Sequence, residues 1–583
     1  MAADTTWVQL LEQEMPMPGA MSEKVRKEVD AARSKHMRQV NTRGNYISPT
    51  PQSALGADFT KGIDGSIGSG TPNDNHLAVG NDGKIINVLN TVIRVYNDTG
   101  KMLKTWTLTN FTKTPNIKKD PIPGLNRVFD PRVIYDPIAN RYVILYMEGS
   151  TDATSKIIVG FSSTSNPLDP WYVYMVPGKP TKDSIWSDYP IVSHNRHDVF
   201  FTVNLIGNNA TWEEGFTEAV IWQLNKADGY KGDSLHKTVY TNIKYNNKPL
   251  RSICAIQNGW LPDGTDNFFI SAKPIDKKND SLFLVRVTNT QNSGLAKLEM
   301  KVLKADIPYG FPPSALQPDT AYRLRTNDVR ILSGIRIGNT IQYLQNCINF
   351  KTFQAHISHG TIYKIDANPI AKVKMITHDS LDLGYPAIAS AGNESGDPSS
   401  VITFVYSSLW DFPGFGMLYH NRYGEYSNIK KLKKGESLIY YNYVPKGEQR
   451  WGDYEGIQAK YNEKNVFYMV GSFGKGLNMN AYIARVKIRD SVWEDPVAEV
   501  RLFPMPIEDN LTIELKVTEE GMYSVDLYNA IGQKIKQQRL QELEQGTHLL
   551  QVKHLADIAP GVYTLKVIGP SGKSIHSQQI LTQ

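Results

Sequence analysis

Cysteine is nearly missing from these 583 residues: there are two, Cys254 and Cys347. Two thiols make no disulfide framework, and their spacing fits no metal motif. No stretch approaches the ~20 apolar residues that a membrane-crossing helix requires. Charge of one sign is also scarce: 64 Lys and Arg against 58 Asp and Glu leave +6, too mild at this length to argue for nucleic acid. The one basic run, Lys430, Lys431, Lys433 and Lys434, reads as a solvated outer strand or loop. Catalytic signatures are missing as well: there is no Gly-x-Ser-x-Gly elbow, no His-Glu-x-x-His and no phosphate-binding Gly-Lys-Thr loop. The first residues, Met1-Ala-Ala-Asp-Thr-Thr6, have no apolar core and form no signal peptide.

What is present is tyrosine, 30 copies, in a chain 40% hydrophobic and 21% charged. That composition suits a soluble globular protein rich in β structure. A short unit recurs at 56- to 76-residue spacing: a polar residue, a strand, a turn and a very apolar second strand. The seven copies begin at Asp74, Asp130, Asp188, Ser252, Asp328, Tyr385 and Asp453. Their second strands read as Lys84–Asn90, Arg141–Tyr146, Asp198–Asn204, Asn267–Ser271, Thr340–Gln345, Val401–Tyr406 and Asn465–Val470. The period predicts a propeller of about seven four-stranded blades over 58–490; a solenoid would need a shorter and more regular repeat. Asp64-Gly65, Asp82-Gly83 and Asp263-Gly264 read as hairpin turns. Residues 1–57 read as a helical arm and linker, with Val25, Val29, Ala32 and Met37 forming a thin apolar stripe. The stretch 45–53 is the linker, and the arm is free to lie on the propeller or bind a partner.

Five of the seven units begin with Asp. If the strand after each is the innermost, Asp74, Asp130, Asp188, Asp328 and Asp453 meet at one mouth of a central channel. Such a ring suits Ca²⁺, with Asp74, Asp130 and Asp328 as the weak metal candidates, or an acid/base pair, with Asp188 and Asp453 as alternative catalytic residues. The plainer and favoured reading is that each Asp caps backbone N–H groups in a turn. Trp186, Tyr189, Tyr385, Trp451 and Tyr454 also sit at inner-strand starts. Aromatic faces beside Asp188 and Asp453 suit glycan or peptide recognition; packing between blades is the plainer account. His194 and His197 read as a solvated hairpin, and Arg132 with Glu148 as a structural ion pair.

The last residues carry the clearest motifs: Leu502-Phe-Pro-Met-Pro506, Asp526-Leu-Tyr-Asn529 with Gly532-Gln533, and Ala559-Pro-Gly-Val-Tyr-Thr-Leu565. Alternating apolar residues between Gly, Pro and Asn turns make a small antiparallel sandwich over 497–583. The order of these motifs resembles the type A C-terminal sorting domain of the Bacteroidota type IX secretion system. It departs from that family at Phe503 and Met505, and the end, Ile580-Leu-Thr-Gln583, lacks the usual basic residues. The phrases Tyr135-Asp-Pro-Ile-Ala-Asn-Arg-Tyr142, Trp186-Ser-Asp-Tyr-Pro190 and Arg450-Trp-Gly-Asp-Tyr454 resemble a wider group of bacterial surface propellers. The Ser-x-Asp-x-Gly-x-x-Trp boxes of sialidase propellers are missing. The resemblance implies export by the type IX machinery to the cell surface, the outer membrane or beyond, with the present chain a mature form. The fold expected is all-β: a seven-bladed propeller, an Ig-like C-terminal sandwich and a short N-terminal helical arm. The function expected is non-enzymatic binding of a surface glycan, peptide or protein, as an adhesin or assembly subunit. The alternative is a secreted glycosidase-like hydrolase.

Overall fold

The computed structural model describes residues 19–41, 57–66, 72–488 apart from 114, 182, 393–395 and 442–446, and 500–582 apart from 504–508, 518–520, 530–531, 545 and 570–573. The readings on residues 1–18, the linker at 45–53 and the joint at 493–496 lie outside them. Packing divides the chain into two compact units: Phe59–Lys487 together with the helix Ala20–Asn41, and Ile488–Gln583.

Among the described residues of the first unit, seven antiparallel meanders follow one another. Their first strands are His76–Val79, Val128–Asp136, Ile185–His194, Cys254–Ala255, Ile331–Ile337, Asp382–Ser390 and Gly456–Ala459. Their second strands are Ile85–Leu89, Arg141–Glu148, Asp198–Gly207, Asn267–Ser271, Thr340–Ile348, Ser400–Ser407 and Val466–Lys475. Five meanders take four consecutive strands, and the fourth takes four with Gln257–Asn258 set aside to pair with Ile331–Ile337 of the fifth. The seventh takes Asn478–Ile488 as its third strand and Ala57–Ser66, from the far end of the chain, as its fourth. The fourth and fifth meanders also touch edge to edge, through Ala305 and Ala371. Asp82-Gly83 and Asp263-Gly264 are turns, with Gly83 and Gly264 at positive φ. Asp64-Gly65 instead lies inside Ala57–Ser66, because the last sheet recruits this segment as an edge and tertiary pairing overrides local turn preference.

Burial explains the strand chemistry. Second strands such as Asp198–Gly207 are covered on both faces by neighbouring sheets, so nearly every residue is buried and the apolar run is continuous. Outer strands such as Ile370–Ile376 alternate exposed and buried residues, as a half-covered edge must. Each first strand touches the first strand of the next meander, and the seventh touches the first. The sheets therefore close into a propeller-like ring. The second unit has two antiparallel sheets: Val500–Phe503, Leu511–Val517 and Gly546–Val552; and Gly521–Tyr528, Lys534–Leu543, Gly561–Ile568 and Ser574–Thr582. Leu511, Ile513, Leu515, Val525, Leu527, Leu565 and Val567 share one core between them.

Candidate functional site at the hub of the ring

Just before each inner strand, or within its first half, the backbone turns through positive φ. The residues are Asp74 (46°), Asp130 (52°), Tyr189 (55°), Ser252 (50°), Asn327 (60°), Tyr385 (49°) and Gly452 (103°). Six of the seven are not glycine, and each such residue is strained by about 1 kcal/mol or more. Three asparagines at one place on alternate second strands hold the strain. Asn90, Asn204 and Asn346 accept the backbone N–H of Asp130, Ser252 and Tyr385 in the following meander, at 2.8, 2.9 and 2.8 Å. This repeat corrects the sequence register. Asp74 and Asp130 occupy the turning position, Asp188 precedes it by one residue, and Asp328 and Asp453 follow it by one. The sequence hid the shift because Asp stands before, at or after the kink, while the kink itself is filled by Asp, Tyr, Ser, Asn or Gly.

The five carboxylates do gather at the hub; Asp74, Asp328 and Asp453 are held by donors, while Asp130 Oδ1 is buried without a hydrogen-bond partner. Asp74 accepts Asn90 Nδ2 and the Asp453 N–H, both at 2.8 Å. Asp453 accepts Asn327 Nδ2 and Arg450 Nη2, also at 2.8 Å. Asp328 is bidentate to Arg330, at 2.7 and 2.8 Å. Burial, then repulsion from Asp453 and Asp130, pushes Asp74 far above the usual carboxylate range. Burial, then repulsion from Asp188 and Asp453, does the same to Asp130. Asp188, buried beside Asp453 but relieved by Arg330, is pushed up to about 6. Arg132, Arg330 and Arg450 stand among these acids and oppose the rise at Asp130 and Asp188. Among the described residues, no three His, Cys, Asp or Glu side chains converge as a metal would need. Of the three acids named as weak Ca²⁺ candidates, Asp328 is engaged by Arg330 and Asp74 by amide donors.

The aromatic residues are walls of the hub. Trp186 is 2% exposed, Tyr189 5%, Tyr385 1%, Trp451 0% and Tyr454 2%. The Arg132 guanidinium lies 3.2 Å from the Tyr454 ring centre, and Arg330 lies 4.3 Å from that of Tyr189. Tyr385 meets Trp451 edge-on at 6.0 Å, and Trp186 meets Phe129 at 6.1 Å. None of the five turns an open face to solvent, because covering the gaps between wedge-shaped sheets takes large flat side chains. The expected aromatic-lined mouth is thereby corrected. Beneath the hub runs an axial cavity of about 80 Å³, to which every meander contributes: His76, Arg132, His194, Gln257, Ser333, Ser390 and Gln458. It has room for a handful of waters. His194 is buried here, so the solvated-hairpin reading fails for it. Arg132 donates through Nε to Pro190 O at 2.9 Å and is not paired with Glu148, which accepts the Asn126 N–H. Cys254 and Cys347 are buried free thiols.

The helix Ala20–Asn41 lies over the same end of the ring. Arg26 Nη2 donates to Asn327 O at 2.6 Å, one residue from Asp453. Arg33 forms a buried ion pair with Asp382 at 2.8 Å. Glu213 accepts the Ser22 N–H at 2.9 Å, an acid at the positive end of the helix. Sequence reasoning found the acids and missed their counter-ions. The signal was there: Arg132 and Arg330 lie two residues after an Asp, and Arg450 lies three before one.

Residues 501–581 match the family model of the secretion system C-terminal sorting domain. A sorting tail of this kind makes the chain a cargo of type IX secretion, exported to the cell surface or released. No curated protein matches the sequence. Among solved structures, the chain is similar to a Trypanosoma rangeli sialidase mutant displaying trans-sialidase activity: 7% identity, 85% of this chain and 91% of that one, TM-score 0.34. It is similar to a chain of the mitotic checkpoint complex: 8%, 76% and 98%, 0.34. It is also similar to an α-L-arabinofuranosidase from Fusarium graminearum: 11%, 72% and 94%, 0.32.

Proposed function

We propose that this chain is a seven-bladed β-propeller with an Ig-like C-terminal domain, exported to the bacterial surface as a non-enzymatic binding protein. The domains are an arm at 1–57, the propeller at 58–490 and the sorting domain at 497–583. The outer membrane of a Bacteroidota cell is the expected setting, with the type IX machinery as the partner in transit. The observation that carries the binding reading is the engagement of the hub acids: Asp74, Asp328 and Asp453 are each held by amide or guanidinium donors. Carboxylates fixed in that way are poor general acids and bases. A surface glycan, peptide or protein then meets the rim, where Trp410, in the loop between Ser400–Ser407 and Gly414–His420, is 67% exposed. The hub aromatics serve to keep that rim rigid.

One observation favours the rival, a glycosidase-like hydrolase. Asp188 sits at about 6, a fitting value for a general acid, beside the partly exposed Asp453. A screen of the purified protein against glycan and peptide libraries, read for both capture and product release, separates the two. Capture without turnover supports the binding protein. Turnover abolished by Asp188→Asn or Asp453→Asn, in folded protein, replaces it with the hydrolase.

A further inference from the structure

Five charged residues of the helix Ala20–Asn41 pair with the ring: Glu28 meets Lys277 on the exposed flank, and the other four lie in a fixed order. Glu23 faces Arg325 at 3.2 Å, Arg26 faces Glu448 at 3.5 Å, Asp30 faces Arg323 at 3.6 Å, and Arg33 faces Asp382 at 2.8 Å. Steps of three, four and three residues place them along one stripe. The helix reads acid, base, acid, base; the groove reads base, acid, base, acid. Among the described side chains, Val25 and Val29 are the helix's buried hydrophobics, set against Phe311 and Ile348. A helix integral to a core buries a broad apolar face. This one buries a narrow apolar seam flanked by charges, the pattern of a docked ligand. An alternating order of signs confers register and choice of partner more than raw affinity.

We propose that this groove is a recognition site for a helix bearing that charge order, that the chain's own helix occupies it reversibly, and that a second copy of the chain is the partner it fits. Residues 42–56 join the helix to the closing strand and can reach about 50 Å when extended, enough to enter a neighbouring groove. Exchange of an identical element between protomers is a low-barrier route to a dimer.

The test uses two full-length variants. Arg26→Glu sets an acid against Glu448 of its own chain; Glu448→Arg sets a base against Arg26. Each alone has a helix and groove that repel. In the mixture, the helix of each variant complements the groove of the other. Light scattering should show a species of twice the monomer mass, associating at least ten-fold more tightly than either variant with itself, and weakening as salt is raised. A mixture that stays monomeric while both variants unfold cooperatively overturns the proposal. If a variant does not fold, hydrogen exchange on the wild type decides. Amides of 20–41 should exchange faster than those of Asp198–Gly207 and accelerate with salt; exchange only through global unfolding also overturns it.

Discussion

Asn204 fills a place that recurs on alternate second strands, where one side chain holds the backbone of the next sheet in a left-handed turn. It accepts the Ser252 N–H and donates to Ser252 Oγ at 3.2 Å. Asn204→Ala and Asn346→Ala should each lower stability by about 1–3 kcal/mol, measured by urea unfolding, because each leaves a buried amide unpaired. Glu455 makes a different point. It is buried against Asn75 and Ser472, and burial pushes it up to about 8. Its folded value lies above the unfolded one, so its contribution is complete at low pH and is lost as pH rises through about 8. Glu455→Gln should leave stability unchanged near pH 4 and raise it at pH 9 by on the order of 4 kcal/mol; an equal effect at both values would refute the assignment. At this scale the sequence showed which acids gather at the hub. It did not show their register, since a kink filled by Asp, Tyr, Ser, Asn or Gly has no residue signature.

Helices and strands divide into those legible from neighbours and those that depend on distant partners. All seven apolar second strands stood out, because burial on both faces leaves no polar interruption. The closing strand Ala57–Ser66 did not, because its partner, Asn478–Ile488, lies some four hundred residues away. The docking helix was visible as an arm, while the ring charges that receive it come from or just beside two short paired strands far apart in sequence, Tyr322–Leu324 and Gly447–Gln449, and from Asp382. Arg33→Ala strands Asp382, which also accepts the N–H groups of Leu316 and Ala355. The expected loss is about 3–5 kcal/mol in thermal or urea unfolding, with Arg33→Lys recovering part of it. Two tryptophans separate wall from rim. Trp451→Ala should cost about 3–5 kcal/mol. Trp410→Ala should change stability by less than about 0.5 kcal/mol and weaken capture on the library that gives a hit. Intact capture in the second variant would move the contact elsewhere.

Across the whole molecule, acid should be the weak side. His76 and His356 are held down at about 3 by burial, and His194 and His420 at about 4; His359 is lowered further still. Their folded values lie below the unfolded one near 6.5. The stability they support is therefore complete above 6.5 and drains as pH falls toward 4. The melting temperature should pass through a maximum between about pH 5.5 and 7.5, with His420→Gln flattening the acid limb and Glu455→Gln the alkaline one. Removing 497–583 should leave the ring folded and trapped before the outer membrane; surface display of the truncated chain would contradict the export route.

The strand order of the seventh sheet also decides how the protein carries load. Chain leaves the ring at Ile488, from a strand paired on both sides, by Val466–Lys475 and by Ala57–Ser66. A tether fixed to the C-terminal unit would pull along that strand. Its bonds to two neighbours would have to slide together rather than peel one by one from a free edge. The ring is thus fastened like a bolt through two plates, and a cell-surface protein dragged by flow or by its ligand would meet its greatest resistance where the two ends of the chain overlap.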